Sequence, residues 1–221
     1  MPPSQGESDS VSGIVYPEIE GYLAPLATPR HEVLIEMEAR ATEEKIPIVG
    51  PLVGALLYQL VSLRGARRIF ELGSAIGYST IWLALAAGPE SEIFYTDADE
   101  KKAEEALHYF ERAGVADRIT VKTGDALEMF EATGGDFDFI FNDINKHEYP
   151  RVLDKALPRV RKGGLLVAHN VLWSGRVAQL TSTDDKDTPA IRDFNTLAAS
   201  SPGCVYSILP LDDGVGVLFK S

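Results

Sequence analysis

The 221-residue chain has one cysteine, Cys204, so no disulfide can form within it. That residue sits in the run Cys-Val-Tyr-Ser-Ile-Leu and reads as a buried strand position rather than a reactive thiol. No window approaches the roughly 18 consecutive apolar residues that a membrane-crossing helix needs. The first residues also lack the basic-then-apolar layout of a secretory signal. A cytoplasmic protein without a membrane partner is the expectation. Positive charge is scarce: 21 Lys and Arg stand against 33 Asp and Glu, a net charge of −12. Such an acidic surface argues against nucleic acid or anionic lipid as partners and favours small or cationic ligands. There is no internal repeat.

What is present supports a real core, since 45% of the residues are hydrophobic. The length suits one domain with an N-terminal extension. Residues 1–13, rich in Pro, Ser, Gly and acid, read as a disordered tail. Residues 14–65 carry helical periodicity, with helix starts at Tyr16-Pro17-Glu18 and around Thr28-Pro29. Leu52, Leu56, Leu57 and Leu60 form one stripe, read as core or a subunit contact. From residue 66 to 221 strands and helices alternate. The strand candidates are 69–73, 92–97, 118–123, 137–143 and 164–169, with a helix over 99–113. Alternation of this kind predicts a doubly wound α/β fold with a mostly parallel sheet. Two final strands, 205–210 and 215–220, flank Asp213-Gly214, a hairpin signal that adds an antiparallel strand. A seven-stranded sheet ending this way is the methyltransferase variant of the Rossmann-like fold. The basic group Arg159, Arg161 and Lys162 reads as a helix C-terminus, and the acidic cluster Thr183 to Asp187 as a surface loop.

The stretch Arg68 to Thr80 has the layout of a buried strand, a glycine turn and a helix, with Gly73 and Gly77 in the turn. Such a turn brings backbone and free helix N–H groups close to a nucleotide-like ligand. An acid two places before the first glycine, Glu71, repels a pyrophosphate and suits a cationic amine or a ribose. S-adenosylmethionine offers an ammonium, a sulfonium and a ribose, and no phosphate. Asp97, ending the second strand, is positioned to take ribose hydroxyls. The competing reading is a plain βα turn with a solvated acid at a strand end. Ligands of doubly wound sheets bind at the carboxyl ends of strands. The loops after the fourth and fifth strands therefore bring Asp143, Asn145, Lys146, His169 and Asn170 to one rim. Oxygen donors there suit a hard divalent cation, and a lysine among them suits a general base.

Five ordered strings carry a family resemblance: Glu71-Leu-Gly-Ser-Ala-Ile-Gly-Tyr-Ser79, Asp143-x-x-Lys-x-x-Tyr149-Pro150, Gly163-Gly164, Asn170-Val-Leu-Trp-x-Gly175 and Asp213-Gly214. From about residue 16 onward the chain resembles the class I, cation-dependent S-adenosylmethionine O-methyltransferases, of the caffeoyl-coenzyme A type and its bacterial relatives, with catechol O-methyltransferase more distant. The resemblance implies that Glu71, Gly73, Ala75, Gly77, Tyr78, Ser79, Asp97, Ala98 and Asp143 hold the cofactor, and that Gly124, Asp125 and Ala126 flank its adenine. It implies Asp143 and Asn170 as metal ligands, Lys146 as the base, Trp173 beside the acceptor and a homodimer. The acceptor would be a small hydroxylated, catechol-like aromatic, with Asn145 near it, and the metal Mg, Mn or a transition metal.

Two positions depart from the family pattern. The usual Asp-x-Asp-Lys and Asp-Asn read here Asp143-Ile-Asn145-Lys146 and His169-Asn170. An imidazole suits borderline transition metals better than Mg²⁺. His169 is thus a candidate ligand or, with Asp143 orienting it, a candidate base. Metal-assisted transfer, metal-independent transfer and non-catalytic cofactor binding are the alternatives. The segment Ile46 to Gly54 also departs from the family's polar version, Gly54 excepted.

Overall fold

The computed structural model describes residues 14–28, 30–179 and 185–221. The expected N-terminal tail, Pro29, and Thr183 and Asp184 of the acidic cluster lie outside them. Seven strands form one sheet: β1 (Arg68–Leu72), β2 (Glu92–Asp97), β3 (Ile119–Thr123), β4 (Phe137–Asn142), β5 (Val160–Ala168), β6 (Cys204–Leu209) and β7 (Val215–Lys220). Their order is β3-β2-β1-β4-β5-β7-β6, parallel from β1 to β5, with β7 antiparallel to both its neighbours. This is the Rossmann-like methyltransferase arrangement expected from the alternating pattern. The helices are α1 (Pro17–Leu23), α2 (Glu32–Glu44), α3 (Gly50–Arg64), α4 (Tyr78–Ala87), α5 (Glu100–Arg112), α6 (Ala126–Ala132), α7 (Tyr149–Ala156) and α8 (Asp187–Ala199). Among the described residues no helix is long and apolar enough to cross a membrane.

Strand alternation divides the core between two faces. One face buries Ile69, Phe139, Phe141 and Val167 with Val53, Leu57, Ile81 and Phe110. The other buries Phe70, Phe137, Ile140 and Leu166 with Phe130, Val152 and Phe194. Removing that much apolar side-chain surface from water, at about 1.5–3 kcal/mol for each large residue, is what drives the layers together. Helix α2 buries Val33, Leu34 and Met37 in the first of these clusters and adds polar contacts. Tyr78 donates to Glu38 at 2.8 Å, and Arg40 reaches Tyr109 at 3.0 Å and pairs with Glu105.

Several expectations shift in detail. β5 begins at Val160, four residues earlier than its apolar run, so Arg161 and Lys162 are strand residues and not a helix end. Arg161 pairs with Asp138 at 2.8 Å. Arg159 does serve a helix C-terminus, but that of α6: it donates to the carbonyls of Phe130, Thr133 and Gly135. Cys204 is only half-buried, because β6 is an edge strand whose residues alternate between half-buried and exposed. The buried face of α3 is Val53, Gly54, Leu57 and Val61; Leu52, Leu56 and Leu60 flank it half-buried.

Candidate functional site

β1 and β4 are neighbours in the sheet but not in sequence, and helices leave them in opposite directions. A crevice opens outside their carboxyl ends, as in other doubly wound sheets. It holds a cleft of about 740 Å³. Gly73 shapes its floor, and Gly77 the turn behind it. Gly73, at φ 79°, lies where a Cβ would meet the Asp143 carbonyl oxygen at 2.8 Å, and Gly77, at φ 84°, packs against Phe110. Only glycine lets the turn after β1 pass so close to the end of β4. Between them Ala75 adopts a left-handed φ of 46°. Two bonds offset the cost of that conformation: Ala75 N–H donates to Asp97 Oδ2 at 2.9 Å, and Tyr95 Oη donates to the Ala75 carbonyl at 2.5 Å.

One half of the cleft is lined by Gly73, Ala75, Asp97, Ala98, Gly124, Asp125 and Ala126, as the sequence implied. Asp97 Oδ1 accepts from Asp99 N–H at 2.9 Å, so both carboxylate oxygens are anchored while keeping lone pairs for a ligand. Asp125 caps α6 through Glu128 N–H at 2.9 Å. Glu71, Gly77, Tyr78 and Ser79 do not line the cleft. Alternation along β1 turns Glu71 inward, where it is fully buried and accepts from the Thr80 hydroxyl, its Oε1 without a partner. Burial pushes its carboxyl up to about 7. Tyr78 is likewise turned away, towards Glu38.

The other half contains Asp143, Asn145, Lys146, His169, Asn170 and Trp173, all brought together as expected. Lys146 Nζ donates to Asp143 Oδ1 at 2.6 Å. His169 Nδ1 lies 3.3 Å from Asp143 Oδ2, and its Nε2 lies 2.6 Å from Asp212 Oδ2. Burial pushes the Asp143 carboxyl up, but Lys146 and His169 outweigh it and hold the group below the usual range. Burial pushes the imidazole down, yet the carboxylates of Asp143 and Asp212 raise it to about 9. Burial raises the Asp213 carboxyl, with Asp212 adding to the rise.

Asp213 also organises the loop after β5. Its Oδ1 accepts from Ser174 N–H at 2.5 Å and its Oδ2 from Asn170 Nδ2 at 3.4 Å. Asn170, Trp173 and Ser174 all have left-handed backbones there. Trp173 lines the cleft, with Arg176 5.5 Å from its ring centroid.

Sequence reasoning missed several lining residues. Pro47 and Ile48 form an apolar wall from the segment that departs from the family. Lys186 and Asp187, part of the cluster read as a surface loop, reach the cleft beside His147, whose Nδ1 is 3.3 Å from Asp187. Asp212, beside the hairpin signal Asp213-Gly214, is another. Its trace in the sequence is the doubled acid of Leu-Asp-Asp-Gly, where the turn itself needs one.

A divalent ion needs several converging oxygen or nitrogen donors. Among the described residues no three His, Cys, Asp or Glu side chains are grouped to hold one. Each Asp143 oxygen has one partner and keeps a lone pair, and the Asn170 amide nitrogen, not its oxygen, faces Asp213, but His169 has a carboxylate on each ring nitrogen and offers no free donor atom. As arranged, these residues do not fit a metal.

Residues 27–221 match the family model described as O-methyltransferase. A catechol O-methyltransferase of Mycobacterium tuberculosis is 32% identical over 190 residues, covering 85% of this chain and 86% of that protein. A catechol O-methyltransferase of Niastella koreensis is 31% identical over 206 residues, 89% of this chain and 91% of that protein. Among solved structures, the O-methyltransferase from Bacillus cereus in complex with SAH superposes with a TM-score of 0.82 at 32% identity, covering 92% of this chain and 97% of that one.

Proposed function

The chain belongs to the O-methyltransferase family and is an S-adenosylmethionine-dependent enzyme, and from that premise we propose that it methylates a hydroxyl of a small, catechol-like aromatic acceptor. The observation that carries this reading is the continuity of the cleft. The glycine turn after β1 and the polar group Asp143, Lys146 and His169 line one space of about 740 Å³. A cofactor on the turn would direct its sulfonium methyl at an oxygen resting by Lys146. The ring of Trp173 and the apolar Pro47 and Ile48 suit an aromatic body, and two relatives are named for catechol.

In the step itself an acceptor oxygen lone pair forms the new O–CH₃ bond. The S–CH₃ bond breaks with its electron pair remaining on sulfur, so the sulfonium becomes a neutral thioether. The hydroxyl proton is taken by Lys146 Nζ after that group has given one of its own protons to solvent, which frees the lone pair the step needs. Asp143 orients Lys146 through the 2.6 Å contact. Alignment of oxygen, methyl and sulfur supplies most of the acceleration, since transfer of this kind needs positioning above all. No step is assigned to a divalent ion, because the donors do not fit one.

Transfer of labelled methyl from S-adenosylmethionine to 3,4-dihydroxybenzoate and related phenols tests the reading. Turnover is expected, falling on the order of 10²-fold in Lys146→Met. No turnover across hydroxylated aromatics, or an undiminished Lys146→Met enzyme, refutes it. We also propose a homodimer through the N-terminal helices. Helix α1 buries no residue of its own, and Tyr16 and Tyr22 are 66% and 70% exposed.

A further inference from the structure

The chain of contacts Lys146–Asp143–His169–Asp212 crosses the acceptor half of the cleft. A neutral imidazole carries one N–H and one bare lone pair. His169 has a carboxylate oxygen on each ring nitrogen, 3.3 Å at Nδ1 and 2.6 Å at Nε2. In either neutral tautomer one carboxylate would face a lone pair. Only the imidazolium donates to both. A ring that donates from both nitrogens has no lone pair left for a metal.

The position is held from three sides. The His169 carbonyl accepts from Tyr149 Oη at 2.7 Å, which fixes the backbone. Asp143 is tied by Lys146. Asp212 reaches in from the turn between β6 and β7 with a left-handed φ of 50°, a conformation that Asp tolerates better than most residues. The charged and titratable groups around the ring are Asp143, Lys146, Asp212, Asp213 and Tyr149. The side chain of His169 is 5% exposed, so its charge is little screened by water.

We propose that His169 is a built-in cation that takes the place of a divalent ion, that the site excludes such an ion, and that Asp212 is the positioning residue that secures this. This rests on the reading of the cleft as a hydroxyl-methylating site only for what the cation does there: it stabilises charge developing on the acceptor oxygen in a water-poor setting. His169 is then an electrostatic group and not the base, which leaves the proton to Lys146.

The test uses the full chain saturated with S-adenosylhomocysteine, ¹⁵N-labelled at histidine. At pH 7 both ring nitrogens of His169 are expected to give imidazolium signals. In Asp212→Asn the titration midpoint of His169 is expected to fall by at least one pH unit, a readout that a merely structural role for Asp212 would not move. Mn²⁺ followed by electron paramagnetic resonance should show no site that depends on residue 169 in the unmodified chain. His169→Asp, which removes the cation and adds oxygen donors, should gain at least tenfold in Mn²⁺ affinity. A neutral His169 at pH 7, or stoichiometric Mn²⁺ binding lost in His169→Gln, overturns the proposal. Neither readout needs an acceptor, so absence of turnover would count against the methylation reading alone.

Discussion

Glu71 is the most consequential buried carboxyl outside the cleft, and Glu71→Gln should reveal its cost as a pH-dependent gain in stability. The side chain is fully buried on β1, and one of its oxygens has no partner. An unfolded chain releases this proton near 4.5, whereas the native state holds it to about 7 because burial disfavours the charge. The folded value is raised. The stability associated with the protonated group is therefore fully present below 4.5 and is lost as pH rises through 7. The gap between 4.5 and 7, at about 1.4 kcal/mol per pH unit, amounts to about 3 kcal/mol by pH 8. Glutamine cannot ionise and does not suffer this loss. Urea unfolding of both proteins from pH 4 to pH 8 would measure the difference. The variant's advantage over the parent should grow by about 3 kcal/mol across that range, roughly 6–12 °C in Tm for a chain of this size. His169 also loses stabilisation as pH rises towards 9, but it is present in both proteins and cancels in the difference. Parallel stability curves would refute the reasoning, for they would mean that Glu71 ionises in the native state as easily as in water.

Tyr95→Phe removes the hydroxyl that holds the left-handed Ala75, and the loss should fall on the KM for S-adenosylmethionine more than on kcat, by about fivefold for one hydrogen bond. Adding Ala75→Gly relieves the same strain by another route and should restore most of that affinity; a double variant as weak as Tyr95→Phe alone would place the effect elsewhere. Light scattering tests the dimer: a mass of about twice the 24.1 kDa chain is expected, and a value near 24.1 kDa overturns it.

Much of the fold was legible because each parallel strand is a short apolar run bounded by turn residues. The exception, β5, shows why the rest was not. Its first half, Val160-Arg-Lys-Gly-Gly164, has no apolar run, and tertiary pairing of Val160 with Phe137 and of Arg161 with Asp138 supplies what local preference does not. The stripe read on α3 contains Leu57 of the buried face, but Leu52, Leu56 and Leu60 lie on its flanks, where leucines carry the same periodic signal. At the site, the strand-end rule brought Asp97, Asp143, Lys146 and His169 into one cleft correctly. It could not say which way a side chain at the end of β1 turns, so Glu71 reads as a cofactor ligand in the sequence and is a core residue in the fold. Asp212 was invisible for a different reason. Its partner lies 43 residues away in sequence, and neither residue means much without the other.

The pairing of the β6–β7 turn with the loop after β5 has a bearing on how the protein is made. Val171 N–H bonds the Gly214 carbonyl, Leu172 N–H bonds that of Asp213, and Asp212 and Asp213 hold His169 and Ser174. The cofactor-facing turn and its acids, by contrast, are all contained between Gly73 and Ala126. A ribosome therefore delivers the half read as nucleoside-binding before the half read as acceptor-handling. The second half has all its contacts only when the last hairpin closes over the loop.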